Sequence, residues 1–172
     1  MKAILTFLFL LPLFVNAQSE NIKLENGQVF FEKIYQLDSV DAKKVETLLT
    51  ANIPRVKDLA DFNKASDIIT AKIKNSYIDY KKYGGKWANT SVYLNHPFFC
   101  DISIIWKDNK YRVSVTNMYF NVSGTVAKLS EIITRNKGTE LDNSKITVRA
   151  LHYIDSYMSD LFKINMTNNG DW

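Results

Sequence analysis

The chain of 172 residues contains one cysteine, Cys100, so it can close no internal disulfide and build no cysteine-based zinc site. Three prolines and six glycines exclude a collagen-like or low-complexity chain, and no glycine-rich phosphate loop or nucleophile-elbow motif is present. Histidine is scarce too. Neither His96 nor His152 has a second histidine at ligand spacing, and Asp155, three positions after His152, reads as its neighbour on a helix surface. Zinc wants three or four protein ligands, so no metal site is expected. The charge excess is small, 22 basic against 18 acidic residues, far from the clustered cations of a nucleic-acid footprint. What remains is a chain that is 46% hydrophobic and 13% aromatic, enough to build the core of one globular domain.

The single long apolar run extends from Ala3 to Val15 behind Met1-Lys2 and ends in Val15-Asn16-Ala17, with small residues where a signal peptidase reads. This is the pattern of a secretory signal peptide. The run falls short of the ~20 residues that cross a bilayer as a helix, and no cysteine follows it to carry a lipid. The expectation is a protein exported to a periplasm or beyond, cleaved near Ala17, without a transmembrane anchor. Residues 18–172 then form one domain with its core between about 28 and 165. Outside the cytoplasm there is no ATP, NAD or chromosome, so nucleotide-driven chemistry, a nucleic-acid partner and cofactors are not expected. The mild positive charge favours loose attraction to anionic envelope polymers.

Residues 28–37 alternate, with Val29, Phe31, Tyr35 and Leu37 on one face, and predict a first strand. Asp38-Ser39 then offers an N-cap for a helix with Val45, Leu48, Leu49 and Ile53 on one side, ended or kinked at Pro54. Val56, Leu59 and Phe62 are expected to pack a last turn. Ile69, Ala71 and Ile73 alternate with Thr70, Lys72 and Lys74 in a strand with one wet face, Gly84-Gly85 breaks the chain, and Val92 and Leu94 suggest a further strand. Phe98, Cys100, Ile102, Ile104 and Trp106 share the apolar face of the clearest strand. With Asp108-Asn109 as a two-residue turn, Trp106 lies opposite Tyr111, Ile104 opposite Val113 and Ile102 opposite Val115. Val126, Leu129, Ile132 and Ile133 read as a short amphipathic helix, and Leu151, Ile154, Met158 and Leu161 as one stripe of a C-terminal helix.

The order is thus β-α-β-β-β-β-α with a short extra helix, an α+β domain whose antiparallel sheet of about five strands carries helices on one face. Three stretches also resemble a known family. They are Val29-Phe30-Phe31-Glu32-Lys33 followed by the Ser39-capped helix, the hairpin Trp106-Lys107-Asp108-Asn109-Lys110-Tyr111-Arg112, and Val115-Thr116-Asn117. The family comprises exported bacterial proteins carrying a domain of unknown function with a TATA-box-binding-protein-like fold. The resemblance implies that fold and no activity, and it brings no catalytic or binding residues. The interruption at Pro54 and the stretch from Val126 to Arg135 depart from the family's usual shape.

DNA binding by such a sheet uses a duplicated saddle with basic residues and apolar wedges, and only one copy is present here. The loop Lys81-Lys82-Tyr83-Gly84-Gly85-Lys86-Trp87 interleaves cations with aromatics, which suits an anionic glycan or lipid headgroup better than DNA. No catalytic constellation is visible, and Cys100 on an apolar strand face reads as a buried thiol. The leading expectation is a non-enzymatic, monomeric domain that binds an envelope protein, glycan or lipid through its wet sheet face, using Lys72, Lys74, Tyr93 and Arg112. The alternative is a carrier or sensor of a small hydrophobic ligand held between sheet and C-terminal helix by Trp106, Tyr111, Tyr153 and Tyr157, with Tyr119 on the sheet facing the same helix. An envelope enzyme is a third, weaker reading.

Overall fold

A computed structural model of the chain describes residues 19–164, so the expected signal peptide at 1–17 lies outside the described residues. Strands β1 (Ile22–Glu25) and β2 (Gln28–Gln36) form a hairpin around Asn26-Gly27. Both turn residues have positive φ, 52° and 75°, the backbone of a two-residue hairpin turn whose twist matches its strands. Helix α1 (Ala42–Asn52) follows, and Pro54 sits in the single tight turn Ile53–Arg55 that ends it.

The helix cap differs from the expected Asp38-Ser39. Asp41 caps α1 by accepting a hydrogen bond from the Lys44 amide at 2.7 Å. Ser39 is held at φ 54° because the loop around it is stitched to the Asp108-Asn109 turn. The amides of Leu37 and Val40 donate to the backbone and side-chain oxygens of Asn109, and the Ala42 amide donates to Asp108, each at 2.7 Å.

A meander of β3 (Leu59–Lys64), β4 (Ile68–Ser76), β5 (Phe98–Lys107), β6 (Lys110–Val122) and β7 (Thr125–Lys128) comes next. The short helix α2 (Leu129–Ile133) leads into a separate two-stranded ribbon, β8 (Thr134–Arg135) with β9 (Glu140–Leu141), and the chain returns as α3 (Lys145–Leu161). The main sheet is antiparallel throughout, in the order β1-β2-β6-β5-β4-β3. Strand β6 is long enough to hold two neighbours on one edge, β2 beside residues 110–115 and β7 beside 119–122. Trp106 faces Tyr111, Ile104 faces Val113 and Ile102 faces Val115, as counted from the hairpin turn.

Among the described residues the sheet has seven strands, two more than expected, and three local readings change with it. Leu59 and Phe62 belong to edge strand β3 rather than to a last helical turn, because Leu59 and Ala60 pair with Ile73 and Lys72. Residues 87–95 form two tight helical turns, Trp87–Asn89 and Val92–Asn95, instead of a strand. Both edges of β5 are already taken by β4 and β6, so no ladder position is left for them. Val126 lies in β7, leaving α2 shorter than its apolar pattern suggested.

Both long helices cover the same face of the sheet. Val45, Leu48 and Leu49 of α1 and Leu151, Ile154 and Met158 of α3 join the inward residues of the strands in one apolar cluster. Tyr35 and Tyr111 stack with ring centroids 4.7 Å apart, and their hydroxyls clamp the end of α3. Tyr35 donates to the Ser159 carbonyl at 3.0 Å; Tyr111 donates to that of Phe162 at 2.7 Å and accepts from the Ile164 amide at 3.0 Å. Burial pushes the Tyr111 hydroxyl up to about 12 and that of Tyr35 higher still. Asp155 is buried and faces away from exposed His152, so the two form no helix-surface pair. It accepts instead from the backbone and side-chain nitrogens of Asn21, at 3.0 and 2.7 Å, and ties the start of the domain to α3.

Candidate functional site

Alternation along the strands sends every second residue to the face that no helix covers. Four strands place Ile34, Arg112, Ile105 and Ile68 side by side in one row, with Glu32, Ser114, Ser103 and Thr70 in the next. A third row holds Thr116, Asp101 and Lys72. Ile34 is 55% exposed and Ile105 37%, high values for isoleucines in central strand positions. Charges of both signs interleave with them: Glu32 lies 3.3 Å from Lys23 and 3.6 Å from Arg112, Lys72 lies 3.5 Å from Asp101, and Lys74 lies 2.8 Å from Asp61.

Three β-bulges shape one end of this face. An extra residue enters β3 between Ala60 and Asn63, β4 between Ile73 and Ser76, and β6 between Thr116 and Tyr119. Each extra stretch contains a residue in the left-handed region, Asp61, Asn75 and Asn117, residue types that tolerate it best after glycine. In β6 the bulge reverses the alternation, so Met118 and Phe120 turn into the core and Tyr119 turns out. Tyr119 therefore stacks on Phe99 of β5, 5.0 Å away with rings parallel, and not with Tyr111. Asn117 donates to Asp101 at 2.6 Å, and a hydrogen bond from Lys74 holds the Asp61 carboxyl below the usual carboxylate range. The result is an open basin of about 480 Å³ lined by Lys72, Lys74, Phe99, Asp101, Asn117 and Tyr119. At the opposite, hairpin end a smaller hollow of about 230 Å³ lies against Ile34, Ile105, Trp106, Lys107, Lys110 and Arg112.

Of the residues expected to bind a partner, Lys72, Lys74 and Arg112 stand exposed on this face. Tyr93 does not, because its segment is helical; its ring packs 6.5 Å from that of buried Phe120, on the other side of the sheet. The four aromatics expected to line a ligand cavity are dispersed. Trp106 and Tyr111 meet at the hairpin tip, and the Tyr111 hydroxyl is spent on α3. Tyr153 packs on Tyr80 at 6.3 Å. Tyr157 shares a 2.7 Å hydrogen bond with Ser76 and borders a groove of about 410 Å³ with Arg55, Lys57, Lys82 and Phe162. Burial pushes the Cys100 thiol well above its ordinary range, which disfavours the reactive thiolate. Lys33 donates to Ser159 at 2.8 Å, but Ser159 donates its own proton to Asp155, a half-buried strut rather than a nucleophile and base facing a cleft. Among the described residues no group of three His, Cys, Asp or Glu side chains could hold a metal, and no helix is long and apolar enough to cross a membrane.

Ile34, Ile105, Phe99 and Asn117 were not among the expected site residues. The first three follow from the strand parity itself. Tyr119 was assigned to the helical side because the bulge went unseen, and its one sequence signal is Asn117, a poor strand former in the middle of a strand.

The chain is similar to two solved bacterial structures. One is a TBP-like protein from Parabacteroides distasonis, with a TM-score of 0.55 and 12% identity over 81% of this chain and 94% of that one. The other is a DUF4468 family protein from Bacteroides ovatus, with a TM-score of 0.52 and 17% identity over 84% of this chain and 85% of that one. At these identities the likeness shows the fold, which is TBP-like and α+β. No family model and no curated protein matches the chain.

Proposed function

We propose that this is an exported, non-enzymatic binding domain that engages a protein partner of the cell envelope through the open face of its sheet. The observation that carries the proposal is that uncovered face, which holds exposed Ile34 and Ile105 among interleaved charges of both signs. A polyanion would select one sign of charge. Apolar residues set in a mosaic of both signs suit the complementary pattern of another protein's surface. The leader-like segment at residues 1–17 supports the envelope address. Dispersal of Trp106, Tyr111, Tyr153 and Tyr157 among separate contacts weighs against a single ligand chamber under the C-terminal helix.

The test is co-purification from the native envelope with wild type and with an Ile34→Ala/Arg112→Ala variant, whose thermal unfolding is measured in parallel. Alanine at anchor positions of an interface costs about 1–2 kcal/mol each, so a specific partner should be lost from a variant that remains folded. Retention of the same partner by the folded variant would place the interface elsewhere.

A further inference from the structure

The segment between β4 and β5 has a construction that the open face does not explain. Its base is fixed. Ile78, Tyr80 and Leu94 are buried, the Tyr80 hydroxyl donates to Asn95 at 2.9 Å, and Gly85 lies so close to Tyr80 and Tyr153 that an added Cβ would sit 2.7 Å from one ring and 3.1 Å from the other. Lys82 and Tyr83 both donate to Asp160 of α3, at 2.7 and 3.0 Å, which locates the segment on the helical side of the sheet. On this rigid base Trp87 is 76% exposed and Val92 63%, the two largest exposures among the described large hydrophobic residues. Lys81 and Lys86 precede Trp87 in sequence and make no ion pair among the described residues. The adjoining groove adds Arg55, Lys57 and Lys163, and the two carboxylates present, Asp79 and Asp160, are engaged by the Lys82 amide and the Lys82 ammonium.

We infer that residues 77–92 form a docking site for an anionic lipid surface. Trp87 and Val92 supply the apolar anchors at the depth of the headgroups, where an indole with an apolar body and a polar edge is favoured. Lys81 and Lys86, backed by the cations of the groove, supply the attraction to acidic lipid. The occupant follows from the charge: a short segment that carries exposed cations without ion-pair partners and protruding apolar side chains complements a surface that is negative outside and apolar beneath. A protein-binding face would interleave both signs, as the open side of the sheet does. Because the segment lies on the helical side, docking leaves that open face free, so the inference stands apart from the proposed partner interface.

The experiment is co-sedimentation of the mature protein with vesicles of phosphatidylcholine alone and of phosphatidylcholine mixed with phosphatidylglycerol. Binding is expected only to the second, weakening as salt is raised. Trp87→Ala should weaken it about tenfold and Lys81→Gln/Lys86→Gln roughly thirtyfold, with unfolding midpoints unchanged because these side chains are exposed. Arg112→Ala should bind vesicles as wild type does, whatever becomes of the sheet-face partner. Equal binding to both vesicles, no binding to either, or full binding by the folded Trp87 and lysine variants would each overturn the inference. So would equally tight binding to a soluble sulfated dextran that Trp87→Ala leaves untouched.

Discussion

The two faces of the sheet are made by alternate residues of the same strands, yet they are held together by different means. On the covered face Tyr35 and Tyr111 reach backbone atoms at the end of α3 and just beyond it, and among the described residues no buried side-chain nitrogen or oxygen lacks a hydrogen-bond partner. On the open face most polar contacts are ion pairs between groups that water also reaches, such as Lys72 and Asp101 at 50% and 38% exposure, and contacts of that kind contribute about 0–1 kcal/mol each. Stability is therefore concentrated on one side of a single layer of backbone. The other side can vary without unfolding the domain, which is the property a recognition surface needs.

Truncating the covered face should give the largest effects. Tyr111→Ala removes a fully buried ring, its stack on Tyr35 and its hydroxyl bridge, and should cost about 3–5 kcal/mol in chemical denaturation. Unchanged stability would mean that the Trp106–Tyr111 register is wrong. Asp155→Ala strands the backbone and side-chain nitrogens of Asn21 and should cost about 2 kcal/mol, with amide exchange accelerating first at the start of β1. Asn117→Val tests the bulge that turns Tyr119 outward. A β-branched residue is disfavoured at φ 50°, so it should lose about 1–2 kcal/mol, whereas Asn117→Gly should stay close to wild type.

The covered face was the more legible of the two in the sequence, for a physical reason. Burial imposes period, so the runs from Val29 to Leu37 and from Phe98 to Trp106, the Asp108-Asn109 turn and the stripe Leu151, Ile154, Met158 could be assigned by counting alone. Counting fails where one residue is inserted. Asn75 and Asn117 shift the parity of β4 and β6 without changing composition, and Tyr119 consequently looked like a core residue. It fails again where a short apolar alternation has no strand to pair with, as at Val92 and Leu94, and the placement of Tyr93 failed with it. The missed first hairpin had a signal in Asn26-Gly27, the residue pair that a two-residue turn prefers. On the open face Lys72, Lys74 and Arg112 were legible as the polar half of each alternation. Ile34 and Ile105 fall on the outward parity of their strands, yet their residue type gives no mark of exposure, because an isoleucine in a strand reads as core until the covering layer is known.

Smaller effects probe the rim and then the open face. Just before α3, hydrogen bonds from Ser144 and Thr147 hold the Asp142 carboxyl below its ordinary value of 3.8. A carboxylate depressed on folding stabilises above its unfolded pKa, and the contribution is lost as pH falls through the folded value. Asp142→Asn should accordingly lower stability at neutral pH by less than about 1 kcal/mol, because the group is open to water. The deficit should begin to shrink as the pH falls below about 4, the ordinary carboxylate value, and vanish only below the lower folded value, where wild-type Asp142 is itself protonated.

The smallest expected effect is the most pointed. Lys72 and Asp101 face each other on adjacent strands at 3.5 Å, and Asp101 also accepts from Asn117. If the open face contributes little to folding, a double-mutant cycle of Lys72→Ala and Asp101→Ala should give a coupling of no more than about 0.5 kcal/mol in denaturant melts. Moderate salt should reduce it further. A coupling above about 1.5 kcal/mol would show that this pair is held almost as firmly as a buried one. Lys72 would then belong to the scaffold, and its loss in a binding experiment would report a disturbed sheet rather than a missing contact. A coupling near zero leaves both charges free to exchange their partner for one on another molecule.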